Sequence, residues 1–341
     1  MARWIQYLRD RGTEIAPGFL VAAVVGLAAQ FLSEHYGAPA MLMALLIGIA
    51  FHFLAEEGRC APGIEFTAKT VLRVGVALLG VRISVDLLIG LGAELIALLV
   101  AGVALTIGVG LLGARLLGRG WRLALLTGGA VAICGASAAM AIAAILPKNQ
   151  HSERNLIFTV LSVTLLSTLA MILYPVLFQS FDLSDREIGV LLGGTIHDVA
   201  QVVGAGFSVS EEAGDTATLV KLIRVTMLAP VVLIFALGIR RAGAATAQGA
   251  APAAKRPPLV PGFVLAFLGF ATLNSVGAVP MIAADALSGL SRWALLISIA
   301  AVGMKTSLAR VTDVGGPAVL LIVGETLFIA AFILLGVFAL T

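Results

Sequence analysis

The sequence predicts an all-α polytopic membrane protein: eleven transmembrane helices in an inverted five-plus-five repeat, two of them discontinuous, preceded by one extra helix. Three observations predict it. The 341 residues are 60% hydrophobic and only 12% charged, with mean hydropathy +1.07, whereas a soluble domain carries about 25% charged residues. Apolar windows of about 20 residues recur along the whole chain. Finally, two stretches resemble each other. Leu45-Leu46-Ile47-Gly48 and Leu191-Leu192-Gly193-Gly194 open them, and Thr67 and Thr218 then precede Arg73-Val74 and Arg224-Val225 at matching distance. Even lower estimates put an arginine at a membrane-helix centre at about 2.5–3.5 kcal/mol, so such residues are seldom placed there without a task.

In chain order the spans are expected near 16–34, 38–55, 64–82, 86–113, 121–147, 155–178, 186–207, 217–239, 260–277, 290–312 and 317–340. Residues 1–35 hold a charged leader (Arg3, Arg9, Asp10, Arg11, Glu14) and the extra helix, with no signal-peptide cleavage pattern. Residues 36–180 form repeat 1 with spans 2–6, and 181–341 form repeat 2 with spans 7–11. Five spans per copy make the second copy enter from the opposite side, the arrangement of secondary transporters. The stretch 240–258, rich in Ala, Gly and Pro, is expected as a long flexible cytoplasmic linker. Cys60 falls in a loop and Cys134 in a span, which gives no disulfide framework.

Loop cations set the orientation. With eleven spans, Arg3, Arg9, Arg11, Arg59, Arg115, Arg119, Arg122, Arg186, Arg240, Arg241, Lys255, Arg256 and Arg310 share one side, and Arg82, Lys148, Arg154 and Arg292 the other. The N-terminus is therefore expected in the cytoplasm and the C-terminus outside. The basic balance says little about nucleic acid, because the cations sit mostly in loops between spans, and no nucleic-acid partner is expected.

Spans 5 and 10 are interrupted near their middles, at Cys134-Gly135-Ala136-Ser137 and at Gly303-Met304-Lys305-Thr306-Ser307. Glycine costs about 1 kcal/mol in a helix interior, and Ser or Thr just beyond it suits the cap of a second half-helix. Half-helix N-termini offer bare amides and partial positive charge to an anion; close helix packing through small residues is the alternative. Span 7 carries Gly194, His197, Asp198, Gln201 and Gly204 on one polar face, and a His–Asp pair at that depth can carry protons. Lys69 and Lys221 are expected to snorkel to the headgroups, whereas Arg73 and Arg224 sit deeper and suit an oxyanion. Glu325 is an isolated carboxylate in span 11, either a counter-ion to Lys305 or a proton carrier.

Over residues 17–340 the chain resembles the YeiH-type family, bacterial inner-membrane proteins that carry the label of sulfate exporters within the bile acid, arsenite and riboflavin transporter superfamily. The matching stretches are Gly128–Ala143, Gly193–Gly206, Lys221–Val232 and Ala301–Leu308. The resemblance implies two discontinuous helices crossing at mid-membrane, here spans 5 and 10, and sulfate or a related oxyanion or organosulfonate as cargo. The expected function is alternating-access transport of a small anion, with protons or sodium as coupling ion, no cofactor, no metal and no enzymatic activity, and with homodimerisation open. The substrate site is expected at Arg73, Cys134, Gly135, Ala136, Ser137, Gln201, Arg224, Gly303, Lys305, Thr306 and Ser307, and proton coupling at His197, Asp198 and Glu325. A passive anion channel and an intramembrane serine hydrolase built on Ser137 and His197 are the competing classes.

Overall fold

The computed structural model describes residues 2–82, 90–241, 262–306 and 316–340, with side chains from 12 onward in the first stretch and to 239 in the second. All regular structure in these residues is helical. The helices are α1 (Ala2–Tyr36), α2 (Ala40–Ala50), α3 (Phe53–Glu56), α4 (Ala61–Phe66), α5 (Leu72–Leu79), α6 (Gly92–Leu116), α7 (Trp121–Ala132), α8 (Ala136–Ile145), α9 (Ser152–Gln179), α10 (Asp185–Thr195), α11 (Val199–Val209), α12 (Glu211–Thr226), α13 (Leu228–Arg241), α14 (Gly262–Ser275), α15 (Met281–Lys305) and α16 (Gly316–Leu340). A π-helical turn, Thr67–Val71, joins α4 to α5. Among the described residues six segments are long and apolar enough to cross a bilayer: Gly12–Tyr36, Gly92–Leu116, Ser152–Gln179, Glu211–Ile239, Met281–Lys305 and Gly316–Leu340.

Predicted spans 5 and 7 do not cross. Each is a helical hairpin that enters the bundle and returns to the end it came from. In span 5 a methyl group on Gly129 would overlap the side chain of Ile142, yet one continuous helix would hold residues 13 apart about 20 Å from each other. Residues flanking this hairpin, Gly118–Leu123 on one side and Asn149, His151, Arg154 and Asn155 on the other, line a single cavity. In span 7, methyls on Gly189 and Gly206 would both abut Ala213, at 2.8 and 3.1 Å from its carbonyl oxygen. The arms explain the shape: at 10 to 12 residues each they reach about 15–18 Å, half of a 30 Å hydrocarbon core.

Local sequence makes the turns. Gly135 sits at φ +62, ψ −127, a conformation that a side chain would strain. At the second turn, Asp198 accepts a hydrogen bond from Ala200 N at 3.3 Å and caps α11. Ser184 and Glu187 form a capping box on α10, and Ser210 caps α12 through Ala213 N.

The hairpins enter from opposite ends. Hairpin 1 (α7–α8) hangs from the end that holds residues 117–120 and 146–151. Hairpin 2 (α10–α11) hangs from the other, where Arg82 of the Gly80–Arg82 turn pairs with Glu211 and with Asp215 at 3.3 Å, and Arg186 donates to Gly90 O. This corrects the expected repeat. Segments α2 and α10, which the Leu-Leu-x-Gly match aligns, start at the same end of the bundle. They diverge at their breaks: α2 continues through α3 to the far end, while α10 turns back at Ile196.

Predicted span 10 ends as α15 at Lys305. Thr306 is its C-cap, with N–H bonded to Gly303 O at 3.0 Å and hydroxyl to Val302 O at 3.0 Å. Thr306 thus finishes a helix and does not start one. Ser307, its proposed half-helix and most of the linker lie outside the described residues. Gly303 serves packing, its Cα 3.1 Å from where a methyl on Gly48 would stand.

Candidate functional site

The two hairpin tips, residues 133–135 and 196–198, meet in the interior: a methyl on Gly135 would lie 3.7 Å from His197. The arms α7 and α10 end there with unpaired carbonyls, as every helix C-terminus does. Buried away from water, those oxygens need donors. Lys221 and Arg224, three residues apart on α12 and 0% and 1% exposed, supply them.

Arg224 Nε donates to Ala132 O at 3.0 Å, Nη1 to Gly193 O at 2.9 Å and Ile196 O at 3.1 Å, and Nη2 to Val131 O at 3.0 Å and Ala132 O at 2.8 Å. Lys221 Nζ donates to Ile133 O at 2.7 Å and Ile196 O at 2.9 Å. Each cation therefore bridges both tips, and each sits where the helix dipoles concentrate negative potential. All five guanidinium N–H groups are committed to carbonyl oxygens, so the fork expected to grip an oxyanion instead pins the two hairpins together. The expectation that Lys221 snorkels is corrected too: its ammonium is buried at the tips because two carbonyls there lack other donors.

The returning arms begin at the same place. α8 starts at Ala136 with no side-chain cap. Ala136 is half-buried and Ser137 exposed, while Cys134 and Gly135 are buried. Asp198, half-buried, caps α11 and donates its N–H to Ser167 Oγ at 3.0 Å. Gln201 is buried, its Nε2 at 3.5 Å from Thr168 Oγ1 and its Oε1 without a hydrogen-bond partner among the described residues. Six expected residues therefore gather at or beside the tips: Cys134, Gly135, Ala136, Ser137, Gln201 and Arg224.

His197 and Asp198 are neighbours at the turn and not members of one helical face. His197 Nε2 lies 3.0 Å from Thr326 Oγ1, whose proton goes to Ile322 O at 2.8 Å. In the Nε2–H tautomer the hydroxyl accepts from the ring while it donates to Ile322 O. His197 is thereby engaged by Thr326 and makes no hydrogen bond to Ser137.

The remaining expected residues lie elsewhere. Arg73 is exposed on α5. Lys305 is exposed and lines a cavity of about 520 Å³ with Glu56, Glu57, Gly58, Ala61, Pro62 and Glu65. Beside it, His52 Nδ1 meets Met304 O at 2.7 Å and Nε2 faces Glu56 at 3.4 Å. Glu325 is fully buried and bonded to Thr127, so it is not the counter-ion of Lys305. Sequence reasoning missed His52, Thr127, Ser167, Thr168 and Thr326. A signal existed for the second turn, because Asp198-Val-Ala-Gln201 has the Asp-x-x-Gln pattern of a capping box.

Comparison with known proteins gives a consistent result. The model of the family described as conserved hypothetical protein 698 matches residues 17–323. A UPF0324 membrane protein of Rhizobium meliloti (strain 1021) is 70% identical over 322 residues, 94% of this chain and 92% of that one. The UPF0324 membrane protein TauZ of Paracoccus denitrificans is 63% identical over 321 residues, 94% of each chain. A UPF0324 membrane protein of Chlorobaculum tepidum is 51% identical over 331 residues, 97% of this chain and 91% of that one.

Proposed function

The chain belongs to the conserved hypothetical protein 698 family of UPF0324 membrane proteins, and from its tip geometry we propose that it is a secondary transporter of a small anion, not an enzyme. The observation that carries this is the buried pair Lys221 and Arg224 at the meeting point of the hairpins, with no carboxylate in ion-pair contact among the described residues. Each helix end contributes roughly half a charge. Two C-terminal and two N-terminal ends cancel, which leaves basic groups in excess of acidic ones, Lys221 and Arg224 against Asp198, in a low-dielectric interior. Such an excess is costly when unanswered and favours an anion beside it.

Docking falls to the amides that open α8, next to Ser137, while Lys221 and Arg224 supply field without touching the cargo. The small oxyanion or organosulfonate class follows the motif resemblance. Transport needs each side to reach the tips in turn, and hairpins hung from opposite ends offer one moving part per side. With both hairpins returning, Arg59, Arg115, Arg119, Arg122, Lys148 and Arg154 fall at one end and Arg82, Arg186 and Arg292 at the other. The basic end is then cytoplasmic, in the bacterial inner membrane, and the C-terminus external.

The test is a thermal-shift screen of the purified protein with sulfate, thiosulfate and methanesulfonate against chloride. A ligand at 100 times its Kd adds about 2.7 kcal/mol of apparent stability. One of the three should raise the melting temperature in wild type and fail to do so in Ser137→Leu, which blocks the α8 opening and leaves both cations in place. A shift by none of them, or a shift unchanged in Ser137→Leu, would overturn the assignment.

A further inference from the structure

Glu325 lies in the middle of α16, fully buried, and among the described residues it makes no ion pair. Its slot is made by absence of side chains. A methyl on Gly110 of α6 would stand 2.5 Å from Oε1, and one on Gly128 of α7 would stand 3.6 Å away. Among the described residues one polar partner reaches in, Thr127 Oγ1, at 2.9 Å from Oε1, and the other oxygen, Oε2, is buried with no hydrogen-bond partner.

The hydroxyl of Thr127 has one proton and three takers, because Leu123 O lies 3.0 Å and Ala124 O 3.5 Å away. An ionised Glu325 would be a buried anion with at most one donor, competing with a backbone carbonyl for it. A neutral Glu325 resolves the conflict. The acid O–H donates to Thr127 Oγ1, and Thr127 donates to Leu123 O, as threonines in helices commonly do. Among the described residues no charged side chain pairs with Glu325 to alter this. On the elements packed against the slot, Glu94 and Arg115 stand exposed toward the ends of α6, Arg122 is half-buried near the start of α7, and exposed Asp185 and half-buried Arg186 and Glu187 lie in the first turn of α10. Glu153 and Arg154 open α9. The tip groups are His197, engaged by the adjacent Thr326, Asp198, which caps α11, and Lys221 and Arg224, whose hydrogen bonds go to tip carbonyls and none to Glu325.

We propose that Glu325 is a proton-binding site that carries the proton moved together with the anion. Residues 325 and 326 of α16 touch the two hairpins at once: Glu325 holds an arm of hairpin 1 through Thr127, and Thr326 holds the tip of hairpin 2 through His197. Loss of the proton places an uncompensated negative charge against the Gly128 arm and loosens it from α16. Rebinding restores the contact. Proton occupancy thus selects between a docked and a released hairpin 1, which is what coupling requires. In this scheme His197 and Asp198 belong to the hinge of hairpin 2 and not to the proton path.

The inference rests on the anion-transport reading for its transport half, and two measurements separate them. Infrared spectra of the protein in lipid at neutral pH should contain a protonated-carboxyl C=O band that disappears in Glu325→Gln. Absence of that difference overturns the proton site whatever is transported. In proteoliposomes, an imposed pH gradient should drive radiolabelled sulfate accumulation in wild type. In Glu325→Gln, accumulation should fall at least ten-fold while sulfate–sulfate exchange persists. Gradient-driven accumulation retained in the variant overturns the coupling role. Wild type that moves sulfate under no gradient counts against the anion reading for this probe, and the infrared result then decides the proton site by itself.

Discussion

Arg73 and Arg224 occupy matching places in the two halves of the sequence, each following a threonine six residues earlier, yet they live in opposite environments. Thr67 and Thr218 do behave alike: both are buried, and both donate to the carbonyl four residues back, at 2.7 and 2.8 Å. Six residues on, α5 presents Arg73 outward, whereas α12 drives Arg224 between two hairpin tips. The cause is the partner. α12 packs along a hairpin whose turn leaves carbonyls without donors, while α5 packs along the long helix α15, where Ser291 Oγ donates to Gly75 O at 2.7 Å. A motif match places a charge on a helix; the neighbouring backbone decides whether that charge is needed.

The comparison breaks most readily at the arginines themselves. Arg224→Ala should destabilise the protein by about 3–5 kcal/mol, the loss typical of removing one side of a buried charge network, because the carbonyls of Val131, Ala132 and Gly193 lose their donor. Arg73→Ala should stay within about 0.5 kcal/mol, as an exposed substitution does. Melting of both variants in the same detergent checks the pair. Equal losses would mean that the two positions are equivalent after all.

A smaller effect sharpens the contrast between buried and exposed charge. Arg82 pairs with Glu211 and Asp215, and Arg292 reaches Glu211 at 3.3 Å, at the end from which hairpin 2 hangs. Glu211 is 51% exposed, so this cluster is screened by solvent and salt. A double-mutant cycle on Arg82→Gln and Glu211→Gln should give a coupling of about 1 kcal/mol or less, falling further in high salt. A coupling as large as the Arg224 loss would move the main lock of the fold from the tips to this end.

The helical class, the membrane setting, the break at Gly135 and the importance of Arg224 were legible in the sequence. Composition sets the first two, and an intramembrane glycine and arginine are too costly to be casual. The fold-back of spans 5 and 7 was not legible, because hydropathy counts apolar residues and does not see direction. An arm of 10 to 12 residues, a turn and a second arm add up to the length of one span. Only the capping pattern at Asp198-Val-Ala-Gln201 marked a helix start inside span 7. Donor commitment was equally hidden: Arg224 reads as an anion ligand until Val131, Ala132, Gly193 and Ile196 are brought to it.

The central claim is that two hairpins enter from opposite sides and meet at Lys221 and Arg224, and side-specific thiol labelling tests it most directly. In a Cys60→Ser, Cys134→Ala background, single cysteines at Gly118 and Gln150 flank hairpin 1, and those at Asp182 and Glu212 flank hairpin 2. With an impermeant maleimide on intact and opened cells, the account predicts that Gly118→Cys and Gln150→Cys label from the cytoplasmic side. Asp182→Cys and Glu212→Cys should label from the external side. Labelling of Gly118→Cys and Gln150→Cys from opposite sides, as a crossing span 5 demands, would contradict it.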